Sequence, residues 1–123
     1  MHKRMHRFKQ SFLHAARGIK TAFQGEQNIF IHVGVGILVT LVAMFLHFSA
    51  EKMALLLLVI GGVIALEIVN TAIEHLVDLV TEEYHPLAKK VKDLASGAVL
   101  VFCAIAVIIG LLLFLHPIAS LLH

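Results

Sequence analysis

The chain has 123 residues, 59% of them hydrophobic and 15% charged, with a mean hydropathy of +0.92. That apolar share is far above a soluble domain's, so lipid is the expected solvent, and the length allows one compact domain. A net charge of +2 is too small to suggest nucleic acid, and Cys103, the sole cysteine, sits in an apolar run, without an internal disulfide partner, as a small packed side chain.

Residues 1–28 are polar and basic, and lack the short apolar core and small-residue cleavage site of a signal peptide. Within them Phe8, Phe12, Ala15, Ile19 and Phe23 recur at three- and four-residue spacing, while Gln10, His14, Arg17 and Lys20 fall on other faces. This pattern predicts an amphipathic helix lying on the cytoplasmic membrane surface, although an ordinary cationic anchor accounts for it equally well.

Three apolar segments follow, at 30–48, 53–80 and 96–115. Each is near or beyond the ~20 residues a helix needs to cross a bilayer. The linkers are "SAEK" (49–52) and "TEEYHPLAKKVKDLA" (81–95), with Pro86 marking a break in the second. The expected fold is an all-α membrane protein with one surface helix and three transmembrane helices.

Orientation follows from the cations. Lys3, Arg4, Arg7, Lys9, Arg17 and Lys20 precede the first span; Lys89, Lys90 and Lys92 separate the second from the third. Of the 10 Lys and Arg, only Lys52 lies elsewhere. The positive-inside rule puts the N-terminus and the 81–95 linker in the cytoplasm and the C-terminus outside.

The second span holds the chemistry. In "ALEIVNTAIEHLVD" (65–78), Glu67, Asn70, Thr71, Glu74 and Asp78 fall within an arc of about 100°, and apolar residues cover the remainder. A charge at bilayer depth costs about 2.5 to 3.5 kcal/mol even on lenient insertion scales, so such a row is a functional candidate by default. Counting from Met53 at ~1.5 Å per residue, Glu67 lies ~21 Å in and Glu74 ~32 Å in, against a hydrocarbon core of ~30 Å. The row thus climbs from the inner leaflet into the cytosol.

Carboxylates and carbonyls suit Mg²⁺, which binds few protein ligands and keeps substrate phosphates. A carboxylate in a less polar setting gains proton affinity and can act as a general base. The arrangement suits phosphoryl transfer to a lipid hydroxyl; a purely structural role in holding a helix bundle together is the alternative. No glycine is followed by lysine, so there is no phosphate-binding loop, and no soluble-kinase motif appears. Any nucleotide site must use separate charged residues, and His85, Lys89, Lys90, Lys92 and Asp93 lie on the same cytoplasmic side. Lys92 and Asp93, beside the third span, are best placed to face the site; His32, His47 and His116 near span ends carry little signal.

"LEIVNTAIEHLVDL" followed by "EYHPLAKKVKDLASGAV", with "HAARGIKTAFQGEQNIFIH" upstream, resembles the small bacterial membrane lipid kinases, the diacylglycerol kinase/undecaprenol kinase family. The resemblance covers nearly the whole chain. "NTAIEH", "HPLAK" and "GEQN" are closer to the undecaprenol kinases of Gram-positive bacteria than to the diacylglycerol kinases of Gram-negatives, and the absence of Trp agrees.

The resemblance implies a homotrimer of three-span subunits with composite active sites between subunits. It places the catalytic base on Glu67 and the Mg²⁺-binding glutamates on Glu26 and Glu74. Nucleotide contacts fall on Arg7, His14, Glu83, Tyr84, His85, Lys92 and Asp93. Ser96 matches a lipid-side position and Asn70 lies in the core motif beside the site. Gln27 and Phe30 stand where basic or polar residues are common, and His14 where the diacylglycerol type has tyrosine.

The expected activity is transfer of the γ-phosphoryl of ATP, with Mg²⁺, to the hydroxyl of a long-chain lipid in the bacterial plasma membrane. Undecaprenol is the first substrate choice and diacylglycerol the second. A small cation- or proton-conducting oligomer, using the acidic row as a relay, is the rival from another class, and a structural membrane subunit is a third reading.

Overall fold

Local capping and apolar runs set the helix limits in the computed structural model, which describes residues 1–25 and 27–123. The helices are α1 (His2–Gly25), α2 (Gln27–Phe45), α3 (Ala50–Val80) and α4 (Pro86–Leu122). The last three are long and apolar enough to cross a membrane.

Ser49 caps α3: its hydroxyl accepts from the Lys52 amide at 3.3 Å, and Glu51 sits favourably in the first turn. Thr81, extended, closes the helix.

The second linker is much shorter than expected, because residues 86–95 are helical. Pro86, read from sequence as a break, occupies the first turn of α4, where its missing N–H costs nothing. The His85 ring accepts from the Leu87 amide at 3.1 Å, so this histidine is the N-cap. Only 81–85 remain outside helix. At its far end α4 runs through Pro117 to Leu122, rather than stopping at the proline. One lost backbone bond so near a terminus is a small penalty, and apolar helices tolerate it.

The first apolar segment turns earlier than its hydropathy suggests. The Phe48 amide bonds the Ala43 carbonyl and the His47 amide bonds that of Met44, both at 3.1 Å. These are the paired bonds of a Schellman cap, with His47 left-handed at φ 59°. The cap folds Phe48 back onto Ala43, so the apolar run continues while the helix does not.

α3 is the axis of the packing, contacting α4 and α2 along its length, while α1 touches α2 and α3. Its buried positions Leu56, Val59, Val63, Glu67, Asn70 and Thr71 form one stripe, apolar at the first end and polar at the second. The apolar end holds Ala43, Leu56 and Leu113, flanked by residues including Met53, Ile60 and Ile109. There Phe48 and Phe114 pack with ring centroids 4.7 Å apart. Two glycines set the helix separations. A Cβ at Gly36 would lie 2.7 Å from Ile60 Cγ2, and one at Gly62 would collide with the Phe102 ring.

α1 is held near its end. Ala22 is buried, and Phe23 meets Phe30 of α2 edge-to-face at 5.2 Å. Phe8, Phe12 and Ile19 are exposed. So are many large apolar side chains of the three longer-run apolar helices, and the most apolar stretch of α4 has no buried residue. In water such a surface would be untenable; it suits lipid or further helices.

Candidate active site

The polar end of the α3 stripe forms one wall of a cavity of about 280 Å³. Helical periodicity delivers Glu67, Asn70 and Glu74 to it at i, i+3 and i+7. Asn28 and His32, one turn apart, enter from α2, and Ser96, Val99, Leu100 and Cys103 from α4. Glu67, Asn70, Glu74 and Ser96, all predicted site residues, thus share one space.

Burial grades along the row. Glu67, Asn70 and Thr71 are buried, Glu74 is half-buried and Asp78 is exposed. Glu67 is 3% exposed. The Thr71 hydroxyl donates to the Glu67 main-chain carbonyl at 3.1 Å, leaving the carboxylate itself uncommitted to that turn. His32 Nε2 stands 3.9 Å from Glu67 Oε2.

Asn70 Nδ2 donates to Glu74 Oε1 at 3.2 Å, which holds one glutamate oxygen in place. Asn70 Oδ1, although buried, has no hydrogen-bond partner among the described residues. A buried amide oxygen without a donor is costly, and in a polar cavity it marks where a donor or a cation belongs. Together with Glu74 it offers hard oxygen donors of the kind Mg²⁺ takes, needing only one or two carboxylates beside its waters and phosphates. Among the described residues no three His, Cys, Asp or Glu side chains are grouped closely enough to hold a metal ion by themselves. Glu26, the other predicted metal ligand, lies outside the described residues.

The predicted nucleotide residues sit beyond this cavity. Glu83, Tyr84 and His85 occupy the α3–α4 connection, where the Thr81 hydroxyl accepts from the Glu83 amide at 3.2 Å and Tyr84 is exposed. Lys92 Nζ meets Asp78 Oδ1 at 2.7 Å, joining α4 to α3. Asp93 pairs with Lys89 at 2.6 Å, one turn away. Arg7 and His14 are exposed on α1, and neither lines the cavity.

Sequence spacing did not single out Asn28, His32 or Cys103 for the cavity, or pair Asp78 with Lys92. Facing positions on different helices leave no trace in local periodicity. The one available signal was that His32 is titratable within an apolar segment.

A second, apolar groove of about 590 Å³ adjoins the cavity, floored by Leu56, Val59, Ile60 and Val63 of α3. His32 and Cys103 line both spaces. A polar chamber with a buried carboxylate therefore shares part of its wall with a surface fit for a hydrocarbon chain.

Comparison with known proteins places the chain's relatives among lipid kinases. The prokaryotic diacylglycerol kinase family model matches residues 13–114. The undecaprenol kinase of Bacillus subtilis (strain 168) is 46% identical over 111 residues, covering 90% of each chain. A diacylglycerol kinase of Synechocystis is 44% identical over 113 residues, covering 91% of this chain and 65% of its own. The diacylglycerol kinase of Escherichia coli (strain K12) is 38% identical over 93 residues, covering 75% of each.

Proposed function

The chain belongs to the prokaryotic diacylglycerol kinase family and is a lipid kinase, and on that premise we propose that its acceptor is undecaprenol, phosphorylated from ATP at the cavity around Glu67. The observation that carries the reading is the buried Glu67 carboxylate in a polar cavity that adjoins an apolar groove through His32 and Cys103. Family membership sets aside both the conducting oligomer and the structural subunit. Diacylglycerol is the second acceptor, favoured by the name that the family and several relatives carry. The identity and length match to the Bacillus subtilis protein favour undecaprenol.

Glu67 takes the proton of the lipid hydroxyl as its oxygen attacks the γ-phosphorus, and the bond to the ADP oxygen breaks. The carboxylate is buried in the cavity wall, where a lipid hydroxyl can reach it, and a carboxylate so placed can serve as a base. Asn70 orients Glu74, and Ser96, on the cavity wall, is placed to meet the polar head of the lipid. Glu74 and Glu26 would hold Mg²⁺, which when bound neutralises the phosphate charge. Lys92, steadied by Asp78, supplies a further cation, while Arg7, His14, Glu83, Tyr84, His85 and Asp93 hold the nucleotide. Positioning and electrostatics account for most catalysis of this kind.

Because Arg7 and His14 lie outside the cavity, a composite site in a homotrimer, each subunit lending its α1 to a neighbour, brings the parts together. The cation distribution supports a cytoplasmic N-terminus and an external C-terminus, with α1 on the inner membrane surface. The test is purified protein in detergent, given ATP with undecaprenol or diacylglycerol side by side. Faster turnover with undecaprenol is expected; a strong preference for diacylglycerol overturns the choice of acceptor.

A further inference from the structure

A general base must lose the proton it has gained before it can work again. Glu67 is poorly placed to do this alone, since its side chain is only 4% exposed. Among the described residues one titratable group pairs with it: His32 Nε2 on α2 lies 3.9 Å from Oε2, and the His32 side chain is 26% exposed. The imidazole therefore stands beside the buried carboxyl and is itself the more accessible of the two groups. It also lines both the polar cavity and the apolar groove.

We infer that His32 is a positioning residue that acts through Glu67, drawing off the proton that the carboxylate takes from the lipid hydroxyl. This rests on the reading of Glu67 as the base. In the step, the O–H bond of the Glu67 carboxyl breaks and an N–H bond forms at His32 Nε2, using the nitrogen lone pair. The resulting imidazolium releases its proton into the polar cavity that it lines. The balance is that of the whole reaction, in which alcohol and ATP give phosphate ester, ADP and one proton.

The separation is about an ångström longer than a hydrogen bond, and contacts of this kind commonly tighten when substrate is bound. Histidine suits the task because it exchanges protons near neutral pH. Among the described residues the other titratable groups that line the cavity with it are Glu67 and Glu74 of α3 and Cys103 of α4, and no charged residue of α1 lines it.

The experiment compares wild type, His32→Ala, His32→Gln and Glu67→Gln as full chains in lipid-doped detergent, measuring kcat and KM for Mg·ATP from about pH 5.5 to 8.5. His32→Ala should lower kcat about 10-fold or more with KM changed less than about 2-fold. Wild-type kcat should fall as acid protonates the imidazole, and His32→Gln, which keeps size and polarity but does not titrate, should be slow and lack that limb. Added imidazole should restore His32→Ala saturably, and better at higher pH, but should leave Glu67→Gln inactive. If both His32 variants keep wild-type kcat and pH profile, or lose rate without any imidazole response, the inference is overturned. If instead Glu67→Gln retains turnover, the base assignment itself has failed, whatever His32 does.

Discussion

Lys92 Nζ on α4 and Asp78 Oδ1 on α3 stand 2.7 Å apart, tying the two helices together at the end where the polar row leaves the packed interior. Both side chains are nearly half exposed, so the pair contributes little to stability. Its interest is directional: a long, flexible cation is held in one pose beside the site.

If Lys92 serves the nucleotide, Lys92→Gln should raise KM for Mg·ATP much more than Asp78→Asn, which leaves the cation in place but unsteered. Thermal unfolding midpoints of the two variants should stay close to wild type. Equal, small changes in KM would make the pair a simple tether.

Glu67→Gln should lose turnover by about 10²- to 10⁴-fold, the usual contribution of a general base. Mg·ATP affinity should change little, because the residues proposed to hold the nucleotide lie outside the cavity. The variant should be as stable as wild type or more so, since the desolvation cost of a buried carboxylate disappears with it. Loss of nucleotide binding together with turnover would move Glu67 into the metal site.

Glu74→Gln keeps the shape and the Asn70 contact but removes the charge that a hard cation needs. Activity should collapse, with any remainder demanding far more Mg²⁺. Glu26→Gln should behave alike. A near-normal rate with an unchanged Mg²⁺ requirement, in either variant, removes that residue from the ligand set.

His47 offers a prediction that concerns stability alone. Its left-handed backbone at φ 59° disfavours a β-branched side chain by about 1–2 kcal/mol, so His47→Val should lower the unfolding midpoint in detergent. His47→Gly should fall within about 1 kcal/mol of wild type, because relief of strain offsets the added freedom of the unfolded chain. A Val variant as stable as the Gly variant would contradict the cap.

Topology is tested by labelling. With the N-terminus inside, a cysteine introduced at Ser49 in a Cys103→Ala background should react with an impermeant reagent from outside, and one at Thr81 should not. The reverse pattern would invert the protein and strand the acidic row away from ATP.

The α3 polar row was legible from sequence because both its chemistry and its period sit in one continuous stretch. The start of α4 was not, since Pro86 and a lysine-rich run read as loop, whereas proline in a first turn favours a helix once His85 caps it. The end of α2 was misplaced because Leu46, His47 and Phe48 prolong the apolar run that the Schellman turn interrupts. Asn28, His32 and Cys103 were missed for a different reason: their meeting with Glu67 depends on which helix faces pack, and a single helix's spacing does not record that.

The glycines that face Ile60 and Phe102 make the chamber vulnerable to changes that touch none of its polar groups. Gly62 lies five residues, roughly 7.5 Å along the axis, from Glu67. A methyl group there meets the far end of the Phe102 ring, so either that ring or α4, which carries Ser96, has to shift. Misplacement of reacting groups by about 1 Å can lower rate about 100-fold. The gauge of this enzyme is thus set by two absent side chains, and hydrophobic substitutions that leave the membrane character intact can still put the kinase out of calibration.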